Sequence, residues 1–481
     1  MGVKTLFLMD NKITKISVTK QKISGRGGIT LFLRYVEKTL FYAVIEHVFS
    51  KLEVFGSKGL QLNQFVKQIF AFFIDGTDMS ISGFDKKKQD VAYAAVLENN
   101  PNEMASSHQI KRFFRKISIV PTFVFRKILK TLFIWRLHIV KPEVIELFVD
   151  TMILNNDDAL KREGVEPTYK PVKGFQPLHI AWSGLIVDLI FRKGSSHSNH
   201  GTDYTDSVRD VVKLIRKKYS KTVAIIVNTD SGFFDQKAFD YFEQELKIQY
   251  VSSATLYPTL KKEIVKLKET SQELIKDDQE TLFSSYEKGK QVWNYIEFGS
   301  RLKSWKKFRR CVYTELTNKK DGQFLLGFHK SDSAIFTNIG INSELDEKLK
   351  GTKAEKYLTS EGLIKFSHSK GKDELVHRSL KEFATKEQLP FLKFKMNMVY
   401  YYLLVITHFL FETYKIDVTD EVVSIKSYPN TFRRQLIDFA VKIVSHSRNK
   451  ILQVVESTYN KLKINDLWLK CQNPPQILLI S

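Results

Sequence analysis

Apolar positions recur at three- and four-residue intervals through Leu31–Leu52 and Leu60–Phe73, and again through Asp90–Glu98, which predicts helices. The segment SSHQIKRFFRK, from Ser106 to Lys116, opens with N-cap residues and continues as a helix toward Arg136. From Glu143 the period changes. Val144–Val149, Phe175–Trp182, Ile186–Arg192 and Thr222–Val227 are rich in β-branched and apolar residues and read as strands, with an amphipathic helix over Thr205–Tyr219 before the last. Ile248–Ala254 reads as a fifth strand. Three strands close in sequence, then a helix and another strand, predict an α/β sheet with an antiparallel meander on one side. A charged helical stretch covers about Leu260–Lys290. Short strands follow near Val292–Phe298, Cys311–Leu316, Phe324–Phe328 and Ala334–Asn338, and helices dominate from Ala354 to the end.

Length and charge refine this picture. A chain of 481 residues exceeds what one hydrophobic core usually holds, so several domains or large insertions are expected. A net charge of +22 favours a polyanionic partner, nucleic acid or an anionic membrane surface. The longest apolar region, Met398–Phe411, is shorter than the ~20 residues needed to span a bilayer and reads as a buried helix. Cys311 and Cys471 have no metal or disulfide spacing, and the start of the chain is too soon charged for a signal peptide, so a reduced, cytoplasmic setting is expected. Lys111, Arg112, Arg115, Lys116, Arg126, Lys127, Lys130 and Arg136 follow a single nearby acid, Glu103. This concentration predicts a helical DNA-binding module, of helix-turn-helix type; a merely solvated basic face is the alternative.

The candidate chemistry lies in carboxylates at strand ends. Asp150 closes VIELFV and Asp230 closes AIIVNT, and functional groups gather at the carboxyl ends of strands in α/β sheets. Two such aspartates suit a hard divalent cation, Mg²⁺ or Mn²⁺, and a pair of ions ~4 Å apart can drive phosphodiester chemistry. The alternative is that each acid only meets a turn. Glu374, in SHSKGKDELVHRSLKEF, offers a third carboxylate, with Lys370 four residues before it and Lys381 seven after, on one helical face. Ordinary Glu/Lys pairing is the alternative there. Asp75 and Asp78, in FFIDGTDMS, compete for the first position. His197 and His200 sit in a Ser/Gly/Asn loop with no third ligand nearby. Trp182, Trp293 and Trp305 read as core before base-stacking groups. No phosphate-cradling glycine motif of the P-loop or dinucleotide type is present.

In series, VDTMIL, PVKGFQPLHIAWSG, LIFRKGSSHS, VNTDSGFF, FDYFEQELKIQYV and LIKFSHSKGKDELVHRSLKEF resemble the bacterial insertion-sequence DDE transposases, in particular insertion-sequence family thirteen-eighty. The resemblance runs from roughly Asp75 to Arg448, including DGTDMS near its start and TFRRQLIDFAVKIVSHSR at its end. It implies that Asp150, Asp230 and Glu374 form the metal-binding triad of a ribonuclease-H-like core, the second 80 residues after the first and the third 144 after the second. The family's Tyr-Arg-Glu-Lys signature falls on Ser367, Lys370, Glu374 and Lys381. Lysine in place of arginine keeps the charge but loses the bidentate fork for phosphate, and serine cannot stack on a base.

The expectation is therefore an α/β fold with five parts. Residues 1–140 form a mostly helical DNA-binding domain, 141–258 the first part of the catalytic core, 259–353 a β-rich insertion, 354–390 the glutamate helix, and 391–481 a helical C-terminal region. The expected activity is cut-and-paste transposition, using two Mg²⁺ or Mn²⁺ ions on Asp150, Asp230 and Glu374. Lys370, Lys381 and Ser367 would meet DNA at the site, and Lys111, Arg112, Arg115 and Lys116 would meet it in the N-terminal domain. The expected partners are the terminal inverted repeats and target DNA, with a homodimer in the active complex and no membrane, in a prokaryotic, nucleoid-associated setting. Two rivals remain: a decayed or repurposed transposase that binds DNA without cutting it, motivated by Ser367 and Lys370, and a metal-dependent nuclease that cuts without joining.

Overall fold

A computed structural model describes residues 13, 15–50, 52, 59–78, 80–198, 201–276, 282–288, 291–318, 332–368, 371–446 and 449–478. After a short strand β1 (Lys22–Ser24) come seven helices: α1 (Gly28–Lys38), α2 (Phe41–Phe49), α3 (Leu62–Asp75), α4 (Gly83–Gln89), α5 (Val91–Val96), α6 (Ser107–Ile117) and α7 (Thr122–Val140). The single helix expected over Leu31–Leu52 is two, because Leu40 adopts a left-handed backbone (φ 65°) between α1 and α2. Helical spacing alone does not reveal such a turn, since the apolar stripe resumes beyond it.

The central region supplies β2 (Val144–Thr151), three short strands β3 (Leu154–Asn155), β4 (Glu166–Pro167) and β5 (Lys173–Phe175), then β6 (Leu178–Trp182), β7 (Leu185–Ile190), α8 (Asp203–Lys218), β8 (Ala224–Thr229), α9 (Gln236–Tyr241) and β9 (Gln249–Ala254). Next come α10 (Pro258–Lys276), β10 (Ser284–Lys288), β11 (Gln291–Ser300), β12 (Arg309–Asn318) and β13 (Asp332–Thr337). The charged helix is described as far as Lys276 and β10 already begins at Ser284, inside the span expected to be helical, while the expected strand Phe324–Phe328 lies outside the described residues. One nine-stranded sheet runs in the order β10-β11-β12-β13-β9-β8-β2-β6-β7. Its middle is parallel, β2 to β8 and β8 to β9, while β6 and β7 fold back antiparallel beside β2. The later strands join the same sheet, because β13 pairs antiparallel with β9.

The remaining helices are α11 (Glu344–Glu347), α12 (Ser360–Ser367), α13 (Gly371–Ala384), α14 (Phe394–Tyr414), α15 (Pro429–Phe432), α16 (Glu456–Lys461) and α17 (Ile464–Gln472), with a hairpin of β14 (Val441–His446) and β15 (Asn449–Val454) between α15 and α16. The expected helical C-terminal region therefore contains strands. VKIVSH holds two β-branched valines and an isoleucine, and β14 pairs with β1 from the other end of the chain. α14 is buried almost all round, as its apolar run predicts. Among the described residues no helix is long and apolar enough to cross a membrane.

The basic stretch divides in two. On α6, Ile110, Phe113, Phe114 and Ile117 are buried, while Lys111, Arg112, Arg115 and Lys116 face solvent. Its start is capped as expected: Ser106 Oγ accepts from Gln109 N at 3.3 Å, and Gln109 Oε1 accepts from Ser106 N at 2.9 Å. α7 is different. It buries ten of its nineteen residues, all between Val124 and Leu137. Arg126 donates through Nε and Nη2 to the buried Asp188 of β7 at 2.8 and 2.6 Å, Lys130 lies 3.3 Å from the same carboxylate, and Arg136 holds Asp417 at 2.8 Å. These three bases are counter-charges to the buried carboxylates Asp188 and Asp417.

Breaking a buried pair strands its partner's charge, which costs about 3–5 kcal/mol. Asp188→Ala is expected to lower the unfolding free energy by that order in urea titration, and replacing Arg126 and Asp188 together by apolar residues to recover much of it.

Candidate active site

The apolar run of β8 is buried at all six positions, and its parallel pairing with β2 sets Val149 opposite Thr229. The next residue on each strand is an aspartate. Asp150 and Asp230 therefore leave the same edge of the sheet side by side, on strands about 4.8 Å apart. Asp150 Oδ1 accepts from Thr151 N at 2.6 Å, and Asp230 Oδ1 accepts from Gly232 N at 2.8 Å. They share a neighbour: burial first, and then the negative charges of Asp150 and Asp230, raise the Tyr169 hydroxyl above its usual pKa. Gly232 is needed for space rather than for an unusual backbone, because a Cβ there would lie 2.7 Å from Ser198 Oγ. Arg192 holds that neighbouring loop by donating to the carbonyls of His197 and Ser198 at 3.1 and 3.4 Å.

A chain of polar groups ties α13 and α14 to this edge. Tyr401 Oη lies 3.0 Å from His179 Nε2, His179 Nδ1 lies 3.1 Å from His377 Nε2, and His377 Nδ1 lies 3.6 Å from Asp150 Oδ2. Burial, reinforced by Lys381, lowers His377 to about 4, and burial with the neighbouring His377 pushes His179 well below its ordinary range. Both rings are therefore neutral near pH 7, and the 3.6 Å contact is neither an ion pair nor a full hydrogen bond. An ionised Asp150 only accepts, so the proton order that suits every atom runs from Tyr401 through His179 and His377 toward the carboxylate. His179 is the cross-strand partner of Asp150, a signal the sequence holds once the strands are paired.

A family model described as transposase DDE domain group 1 matches residues 8–473. The chain belongs to this family of DDE transposases. No curated protein matches it. Among solved structures, a chain of the cryo-EM structure of the piggyBac transposase synaptic complex with hairpin DNA is similar over 86% of this chain and 80% of its own, with TM-score 0.41 and 12% identity.

The transposase places its other expected site residues unevenly. Glu374 lies on α13, one turn before His377, but its side chain lies outside the described residues, as does Lys370. Among the described residues no three His, Cys, Asp or Glu side chains converge as metal ligands. Ser367, the last residue of α12, is 5% exposed, and Lys381 Nζ is 2.9 Å from Glu387 Oε1. Asp75 ends a helix rather than a strand and is buried against Lys87 and Arg26, while Asp78 pairs with Lys87 at 2.9 Å. Neither shares the strand edge of Asp150. His197 is a loop residue and His200 lies outside the described residues; Trp182 and Trp305 are core.

Removing the middle of the histidine chain leaves a buried ring nitrogen unpaired, at a cost of about 1–3 kcal/mol. His377→Ala is expected to destabilise the transposase by that order. A double-mutant cycle with Tyr401→Phe should give a coupling of about 0.5 kcal/mol or more, measured by urea unfolding; strict additivity would show that the chain does not act as a unit.

Proposed function

We propose that this transposase moves an insertion sequence by cut-and-paste, as a bacterial enzyme of the kind represented by insertion-sequence family thirteen-eighty, on a ribonuclease-H-like core. The observation that carries the reading is the register of β2 and β8, which sets Asp150 beside Asp230 at the carboxyl ends of adjacent parallel strands. α13 supports it by carrying position 374 one turn from His377, which touches Asp150. Asp150, Asp230 and Glu374 form an all-carboxylate donor set, which fits Mg²⁺ or Mn²⁺. Two such ions, when bound, would supply activation of the attacking oxygen and charge stabilisation at the leaving oxygen.

The residues then have distinct tasks. In the first step a water oxygen bonds to phosphorus at the element's end, the bond to the 3′ oxygen breaks, and a 3′-hydroxyl is freed. In the second, that hydroxyl attacks a target phosphodiester, loses its proton, and the displaced target 3′ oxygen takes one up. Asp150 and Asp230 would hold the ions on rigid strand ends, and His377 with His179 keeps Asp150 in place. Lys370 and Lys381 receive phosphate, with Ser367 at the preceding signature position. Lys111, Arg112, Arg115 and Lys116 on the exposed face of α6 bind the terminal inverted repeats, in a homodimer that holds two ends and the target at the bacterial nucleoid.

Purified protein with Mg²⁺ is expected to nick DNA bearing the element's ends and to join the freed 3′ ends to a target, and Asp230→Asn or Asp150→Asn to abolish both while leaving end binding intact. Cleavage that survives Asp230→Asn would falsify the triad; cutting without joining would indicate a nuclease, and binding without cutting a repurposed DNA-binding protein. Each lost phosphate contact lowers the slope of log K against log salt by about 0.9. Arg112→Ala with Arg115→Ala should therefore reduce that slope for end DNA by about 2; an unchanged slope would remove α6 from the interface.

A further inference from the structure

Alternate residues of a strand share a face, so Val144, Glu146 and Phe148 lie on β2 in one row with Asp150. Over β8 and β9 this side of the sheet is covered: Ile226 and Val251 pack with Leu363, Ile364 and Phe366 of α12. Over β2 it is open. A cavity of ≈ 920 Å³ has Val144, Glu146 and Phe148 in its lining, together with Tyr357, Phe366 and the hairpin turn after Trp182. Four lysines also line it, Lys353, Lys356, Lys365 and Lys426, all solvent-facing. Lys365 is paired with Glu361. Among the described residues no carboxylate pairs with the ammonium groups of the other three. Glu146 is held by the Tyr357 hydroxyl, which donates to Oε1 at 2.8 Å. In the same part of the sheet Asn228, in register with Phe148, has both amide atoms buried without a hydrogen-bond partner among the described residues.

Three lysines without a carboxylate partner among the described residues, of which Lys356 lies over the Tyr357 ring at 5.6 Å, match a nucleic-acid strand whose bases are exposed. Lysines take phosphates, ring faces take bases, and a carboxylate can accept from an exocyclic amine such as that of cytosine. A cavity near the upper end of the ~300–1,000 Å³ range suits a ligand of a few rings and not the body of a duplex. Paired bases could not reach its interior. Phe148 is two residues from Asp150, about 7 Å along the strand, and from there the cavity runs away from the catalytic end, past Val144 to Pro142 and Val140. We propose that this cavity is a subsite for single-stranded DNA, taking the unpaired nucleotides that adjoin the phosphodiester held at Asp150. The position of that phosphodiester rests on the reading of the site given above; the cavity's preference for an unpaired strand does not.

The test uses the full-length protein without divalent metal, so that it reads binding and not cleavage. An oligothymidylate carrying 5-iododeoxyuridine is irradiated with the protein, and the crosslinked peptides are identified by mass spectrometry. Crosslinks to Phe148 or Tyr357 are expected. In parallel, the combined variant Lys353→Glu, Lys356→Glu and Lys426→Glu should weaken oligothymidylate binding at least tenfold and reduce its salt slope by about 2, from ~0.7 per phosphate contact, while binding to a blunt duplex falls less than twofold. Crosslinks confined to other surfaces would overturn the proposal, as would equal losses for single strand and duplex, which would mark a general duplex-binding face. The wild-type crosslink decides the matter if the variant does not fold. Cavity crosslinks in a protein that never cleaves would remove the catalytic reading and keep the subsite; cleavage without them would do the reverse.

Discussion

The parallel pairing of β2 with β8 is the constraint on which the rest of the structure depends. Six consecutive residue pairs, from Val144 with Ala224 to Val149 with Thr229, hold two apolar strands in one register. In a strand, a shift of one residue reverses every side chain, so burial on both strands locks the register against slippage. The acids inherit this rigidity. Asp150 and Asp230 are close because their strands cannot slide, and hydrogen bonds from Thr151 N and Gly232 N then fix one oxygen of each.

Around this edge the helical shell acts as a frame. α14 is buried almost all round because it packs between the N-terminal helices and the sheet, and it presents Tyr401 to His179 from inside the core. His179 on β6 and His377 on α13 then connect the frame to Asp150. Neutral, buried rings suit this task, since a charged imidazole there would carry a desolvation cost and would alter the field at the carboxylate. The helix that brings position 374 is thus held by a polar chain that begins on another helix and ends at the strand edge.

The large positive charge serves two different purposes. Arg126, Lys130 and Arg136 neutralise Asp188 and Asp417 inside the fold, where an unpaired carboxylate would be costly. Lys111, Arg112 and Arg115 of α6, and Lys353, Lys356 and Lys426 around the β2 face, instead point outward into solvent. Sequence proximity does not separate these groups: Arg126 follows Lys116 by only ten residues, yet Lys116 faces solvent and Arg126 is paired with Asp188 of the sheet.

Local pattern alone determined much of this protein. The apolar runs of β2 and β8 and their terminal acids, the buried character of α14, and the capped, basic α6 could all be read along the chain, because each depends on residues within a few positions. The order of family motifs reached further and gave the class of enzyme. What only the tertiary structure decided depends on residues far apart. The break at Leu40, the strands of the C-terminal hairpin that pair with β1, the internal role of Arg126, Lys130 and Arg136, and the meeting of His179, His377 and Tyr401 at Asp150 all require distant segments to be neighbours. A one-dimensional period records which face of an element is apolar. It does not record what that face meets, and the energies that sort buried counter-charges from exposed ones arise only in that meeting.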